Sequence, residues 1–337
     1  MAFNRLEPSD FVVSADSISS TLWSNDAPTL TTFATSSTQE ISPSGQFYLS
    51  IYPTASSDEV QFNIAYGDSE GSGSLAYNYG ASIVNSPTST IYGQFQDLVL
   101  GDENTDFTFG DVTSTNFIAL TFERTRYKES LLPGSLTLIL DSSGYKVSLT
   151  DNSKNIAVSQ YVGSNRVFQL VSGSAGNVNT TLNTNGYTNG SGSYGWMLPD
   201  IGTLLLSVNA LKASTANGGL NWGVTINAPS QSTAPSVNAQ FFSLIKTASL
   251  NSQETITSDY IFVRARSSEF NYSENPSFIS GSTGEVLYNS FINSPQTYIT
   301  TVGLYNDTNE LLAVAKLSRP LPKDFTKEAL VRCKLDF

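Results

Sequence analysis

The clearest alternation of apolar and polar positions lies near the C-terminus. Two apolar arms, Tyr298 to Tyr305 and Leu311 to Leu317, flank Asn306-Asp-Thr-Asn309, and Asn and Asp tolerate the left-handed backbone that a tight turn needs. This pattern predicts a β-hairpin. Ser318-Arg-Pro-Leu-Pro-Lys-Asp324 is expected to stop the second arm, because each proline fixes φ and removes a ladder donor. Ala329-Leu-Val-Arg-Cys-Lys-Leu-Asp-Phe337 then alternates apolar with charged residues, the pattern of a half-buried last strand.

Upstream, β-formers recur at short intervals. Strands are predicted at 46–52, 60–66, 107–109, 117–122, 135–140, 145–149, 156–162, 166–171, 241–246 and 260–266 from β-branched and aromatic content with alternation. Asp141-Ser-Ser-Gly144 is a hairpin turn signal between two of them. Thr203 to Leu211 reads as buried structure. One stretch departs from the period of two: Ser86 suits a cap, Pro87 suits the first helical position, and Ile91, Tyr92, Phe95, Leu98 and Val99 fall on one helical face before Gly101. Residues 172–195 form a Gly/Ser/Asn-rich loop, 229–235 a linker, and 267–276 a polar loop carrying aromatics.

The expected fold is therefore mainly β, with antiparallel β-sandwich or barrel-like domains, one short amphipathic helix near 87–100 and a C-terminal β-hairpin. Three regions are expected: an N-terminal arm at 1–45, a β-rich main domain at 46–235, and a C-terminal β domain at 236–337 whose strands are compatible with the earlier sheet.

Composition sharpens this picture. Charged residues make up only 14% and aromatics 11% of the 337 residues, a balance that favours short strands and polar turns over helical bundles. The last 22 residues hold six of the 17 Lys and Arg against three acids, so the tail carries +3 and the remainder −15 of the formal −12. Such an acidic body disfavours nonspecific nucleic-acid binding, which depends on neutralising phosphates with Lys and Arg. No apolar run approaches the roughly 18 residues of a membrane helix, and the N-terminus lacks the apolar core of an export signal.

Chemistry is constrained mostly by what is missing. The chain has no histidine and one cysteine, Cys333, which removes Ser-His-Asp and Cys-His catalysis, His-containing zinc sites, and an intrachain disulfide. Cys333 is expected to be a buried structural residue. Gly190-Ser-Gly-Ser-Tyr-Gly195 matches a dinucleotide fingerprint by letter but precedes no helical pattern. Asp102-Glu-Asn-Thr-Asp106 resembles half of a calcium loop, with Phe107 and Thr113 where glycine and glutamate are required; a solvated turn is the favoured reading. No spacing singles out a glycosidase carboxylate pair. No catalytic residue, cofactor or metal site is assigned.

Val302-Gly-Leu-Tyr-Asn-Asp307, Glu310-Leu-Leu-Ala-Val-Ala-Lys-Leu317 and Phe325-Thr-Lys-Glu-Ala-Leu-Val-Arg332 together resemble a string found in virion structural proteins of tailed, especially contractile-tailed, bacteriophages. Leu100 to Phe107, Arg124 to Leu138, Phe168 to Ser174 and Tyr194 to Gly202 add to that resemblance, which touches most of the chain. It implies a particle component of the tail, baseplate or fibre-attachment region, assembled in the host cytoplasm from repeated copies and incorporated in the virion. Its partners would be other virion proteins and copies of itself, with neither nucleic acid nor membrane among them. Host surface glycan is the partner under an adhesin reading, in which loop 172–195 and exposed aromatics make contact. Capsid decoration or a neck position, and an envelope polysaccharide-degrading enzyme, are the remaining alternatives. Candidate subunit-interface residues are the two basic islands, Arg124, Arg126 and Lys128 in one, and Arg319, Lys323, Lys327, Arg332 and Lys334 in the other.

Overall fold

A computed structural model describes residues 5–35, 40–42, 45–71, 88–180, 187, 192–224 and 233–336. The chain forms two compact units, a large one of Ile18–Glu254 and a small one of Met1–Ser17 with Thr255–Phe337. The fold is mainly β, and its strand pairs are antiparallel.

A 14-stranded sheet organises the large unit. Along its main path the strands run Thr29–Leu30, Ile245–Ser249, Thr137–Ser142, Tyr145–Asp151, Asn165–Ser174, Gly195–Leu198, Thr203–Ser207, Asn116–Phe122, Phe62–Asp68, Gly45–Tyr52 and Ala34–Thr35. Its central strands are buried on both faces. In Asn116–Phe122, Ile118, Leu120 and Phe122 enter one core while Phe117 and Ala119 enter a second. Leu204 and Leu206 join the first core in the same way, and Leu205 the second. This two-sided burial explains why these strands read as continuous apolar runs instead of alternating. The turn between Thr137–Ser142 and Tyr145–Asp151 has positive φ at Ser143 and Gly144 (52° and 92°), the primed-turn geometry that the pattern at 141–144 predicts.

The helix at Thr88–Phe95 lies within the predicted span and covers the second core with Tyr92 and the partly buried Phe95, while Ile91 is also buried. Ser86 and Pro87, its expected cap and first residue, lie outside the described residues. Past Phe95 the helix widens into a π turn, Gln96–Leu100, closed by Gly101 at φ 68°. The wider turn shifts the apolar face: Val99 is buried, but Leu98, expected on that face, is 50% exposed.

Two expectations are corrected. The stretch read as linker followed by a strand at 241–246 contains the helix Thr233–Leu244, with Val237, Phe241 and Leu244 buried at helical spacing. Pro235 falls in the first turn of that helix, where its missing donor costs little. Within the stretch expected as an N-terminal arm, Leu22, Trp23 and Leu30 are core residues, and Trp23 meets Phe62 and Phe122 edge-on or tilted at 6.4 and 6.0 Å between ring centroids. The two compact units divide after Ser17 and after Glu254. Finally, the predicted loop 172–195 is partly ordered strand, since Asn165–Ser174 extends into it and pairs back with Asn177–Val178; residues 181–186 and 188–191 lie outside the described residues.

Candidate functional site

The small unit is built on the pairing of the strand Asn251–Ala265, past its first four residues, with Ala329–Asp336, in register from Ser258↔Asp336 to Ala265↔Ala329. The period of two sorts these strands cleanly. Ile261, Val331 and Cys333 make a small core on one face, with Val263, Val302, Leu304, Ala315, Leu317 and Leu321 packed partly buried against it. The opposite face carries Tyr260, Phe262 and Arg264 beside Leu330, Arg332 and Lys334. Arg332 lies over the Tyr260 ring at 5.5 Å and Lys334 at 5.9 Å, and Lys334 also pairs with Asp336 at 2.8 Å.

The predicted hairpin is present and longer than expected. Gln296–Tyr305 pairs with Leu311–Asp324, and the turn is held by Asn306, whose side-chain oxygen accepts from the Thr308 and Glu310 amides at 3.1 and 2.7 Å. Asn309 takes the left-handed conformation, φ 61°. The prolines do not stop the second strand. A two-stranded ribbon has only edge strands, where a missing donor is tolerated, and the register jumps between Ile299↔Leu321 and Thr301↔Lys316, so that Leu317 to Pro320 bulge out. Between hairpin and sheet face lies a groove of about 840 Å3, lined largely by apolar residues including Val263, Ala265, Val302, Leu304, Ala329 and Val331.

The two basic islands fall in different units. In the large unit, Arg124 stacks over Tyr127 at 4.6 Å and donates to its carbonyl at 2.6 Å, Arg126 pairs with Glu59 at 3.6 Å, and Lys128 pairs with Glu254 at 3.4 Å. In the small unit, Arg319 and Arg332 are exposed and Lys327 pairs with Asp324 at 3.5 Å. Lys323 is not a surface charge. It is 0% exposed, and its amine donates to the Ser267 carbonyl, Asn271 Oδ1 and the Asp324 carbonyl at 3.0, 2.9 and 2.9 Å. Three oxygens replace its water shell, so it pins loop 267–276 to the end of the hairpin.

The buried carboxylates serve the backbone. Asp151 accepts from the Gly134 amide at 2.8 and 3.0 Å and from the Ser153 amide at 3.2 Å, and Asp68 accepts from Tyr66 Oη at 2.7 Å. Burial, reinforced by that carboxylate, pushes the Tyr66 phenol far above its ordinary value. Asp102 is occupied by its own turn, accepting from the Asn104 amide and the Thr105 hydroxyl at 2.9 and 2.6 Å; those donors, the hydroxyl first, hold its carboxyl below the usual range. Among the described residues, no three His, Cys, Asp or Glu side chains converge to hold a metal. Gly195 leads into the strand Gly195–Leu198 and not into a helix, which is the wrong context for a phosphate cradle. Cys333 is buried, and burial pushes its thiol up.

What sequence reasoning missed is how bare the small unit is. Among the described residues it holds fifteen of the twenty-one exposed large hydrophobics, among them Phe11, Val12, Val13, Tyr298, Leu311, Leu312, Val314, Phe325 and Leu330. Its core cluster has three buried members where the large unit's two clusters have 36 and 10. The signal available was the apolar residue on both faces of each hairpin arm, as in Leu311-Leu312 and Val314 beside Ala313 and Ala315, since a strand with one covered face needs apolar residues on that face only. Fold and site together define a mainly β, antiparallel protein with one well-filled unit and one whose apolar surface is left open. No family model, curated protein or solved structure matches the chain.

Proposed function

We propose that this chain is a structural subunit of a tailed-phage virion, incorporated as repeated copies in the tail, baseplate or fibre-attachment region through subunit interfaces. The observation that carries the assembly part of this reading is the open small unit: a long two-stranded hairpin and an edge strand, Phe11–Thr21, with exposed apolar side chains and a three-residue core. An isolated hairpin is marginally stable in water, and exposed apolar surface of this extent marks an interaction site in soluble proteins. The phage setting is supported by the wording of 302–332 and the echoes upstream of it.

Two measurements test the reading. Sedimentation velocity across a concentration series is expected to show self-association of the purified chain, and antibody labelling of intact particles is expected to decorate one tail or baseplate position at fixed copy number. A chain that stays monomeric at every concentration and is absent from purified particles would refute it.

A further inference from the structure

The outward face of the small unit's sheet is apolar at its centre with three bases around it, one of which, Lys334, pairs with Asp336 of the same strand at 2.8 Å. Tyr260, Phe262 and Leu330 are flanked by Arg264, Arg332 and Lys334, and the register sets these residues side by side as Tyr260↔Lys334, Phe262↔Arg332 and Arg264↔Leu330. Arg332 lies over the Tyr260 ring at 5.5 Å, a cation–π contact that does not neutralise its charge.

The large unit carries a surface of the opposite kind. Residues 97–112 contain Asp97, Asp102, Glu103, Asp106 and Asp111 and no base, and all five are exposed. None of the five is in a salt bridge among the described residues, and they do not converge on a metal position. Two apolar side chains stand out beside them, Leu98 at 50% and Val112 at 55% exposure. Leu98 is outward because of the π turn Gln96–Leu100. The same polypeptide thus carries an acidic stretch with two exposed apolar side chains, Leu98 and Val112, and a sheet face of apolar and basic side chains.

We propose that the Tyr260/Phe262/Leu330 face of one copy docks on the Leu98/Val112 surface of a second copy, with Arg264, Arg332 and Lys334 meeting the carboxylates of residues 97–111. This rests on the assembly reading above and names its contact. The two surfaces differ, so the contact is heterologous: each copy uses one surface as donor and the other as acceptor, and copies add head to tail into a ring if the rotation closes or a filament if it does not. Charge complementarity sets partner and register, and the apolar centres supply the buried area.

The experiment uses full-length chain and two charge reversals, Arg332→Glu/Lys334→Glu on the basic face and Glu103→Lys/Asp111→Lys on the acidic one. Asp102 is left intact because its own turn depends on it. Each variant alone is expected to associate at least about tenfold more weakly than wild type by sedimentation velocity, with an unchanged far-ultraviolet circular dichroism spectrum. A one-to-one mixture of the two is expected to recover association, as alternating copies, because each reversed face then meets an opposite one. Wild-type association is also expected to weaken as salt rises from about 0.05 to 0.5 M, which shortens the screening length several-fold; this measurement needs no variant to fold. Wild type that associates with no response to salt or to either reversal overturns this contact while leaving assembly standing. Two weakened variants whose mixture does not recover overturn the pairing of these two surfaces. Wild type that never associates overturns the assembly reading and this contact together.

Discussion

Replacing Lys323 by methionine tests whether the small unit depends on one buried cation. Methionine keeps the length and apolar stem of lysine and removes only the amine, leaving the Ser267 carbonyl, Asn271 Oδ1 and the Asp324 carbonyl without their donor. Hydrogen bonds to a charged group contribute about 1.5–3 kcal/mol each, but oxygens that reach water after a local opening recover part of that. With the amine 0% exposed, a net loss of about 3 kcal/mol is expected, close to the cost of breaking a buried charged network. All three tryptophans, Trp23, Trp196 and Trp222, lie in the large unit, so tryptophan fluorescence does not report the loss. Hydrogen exchange by mass spectrometry does. Amides of 267–271 and 296–336 are expected to exchange about a hundredfold faster, which is about 3 kcal/mol at 1.4 kcal/mol per decade, while those of the large sheet stay unchanged. The control, Lys316→Met, removes an exposed amine and is expected to stay within about 0.5 kcal/mol. Equal exchange in Lys323→Met and wild type would refute the argument that Lys323 pins the loop to the hairpin.

Gly195→Ala places a Cβ 1.8 Å from the Leu205 carbonyl at φ 149°, in the middle of the large sheet, and is expected to cost more than about 3 kcal/mol in urea unfolding followed by tryptophan fluorescence. Trp23→Ala empties a site walled by Phe62 and Phe122 and is expected to lose about 3–5 kcal/mol in the same assay; a loss below about 1 kcal/mol would show that Trp23 does not anchor residues 18–30 in the core. The Asp324 carboxyl is held below its ordinary value, first by the Thr326 hydroxyl, then by the Thr326 amide, with Lys327 adding attraction. A lowered carboxylate value means that its contribution is complete above the unfolded value of 3.8 and is lost as pH falls through the lower folded value. Thr326→Ala is expected to move the Asp324 titration upward in a carbon-detected NMR series, and an unmoved titration would show that the hydroxyl does not hold the charge.

Much of the large unit was legible because its signals are local. The turn at 141–144 announces itself by residue type, and the ten-residue spacing of strands from 107 to 171 follows directly from β-former content. The helix Thr233–Leu244 was hidden by Pro229 and Pro235, which read as linker residues, although Val237, Phe241 and Leu244 already had helical spacing. Leu98 was misplaced because a π turn changes the period, and no side-chain pattern marks where the period changes. Lys323 shows the limit most plainly. By type it belonged with Arg319 and Lys327 as a surface base; its burial depends on oxygens from residues 56 and 52 positions away, in a loop that sequence alone does not bring to it.

The same limit bears on the basic tail as a whole. Counted along the chain, it is a run of six cations. In three dimensions the run divides by strand parity and by partner: Lys323 is consumed inside, Lys327 answers Asp324, and Arg332 and Lys334, the latter paired with Asp336, come out on one sheet face beside Tyr260 and Phe262. Net tail charge is therefore a poor guide to docking strength, because under the proposed contact only the members on that face would meet a second copy. Reversing Arg332 and Lys334 and reversing Lys327 change the tail's charge in the same direction, yet only the first pair sits where an apolar centre can exclude water and make the charges count.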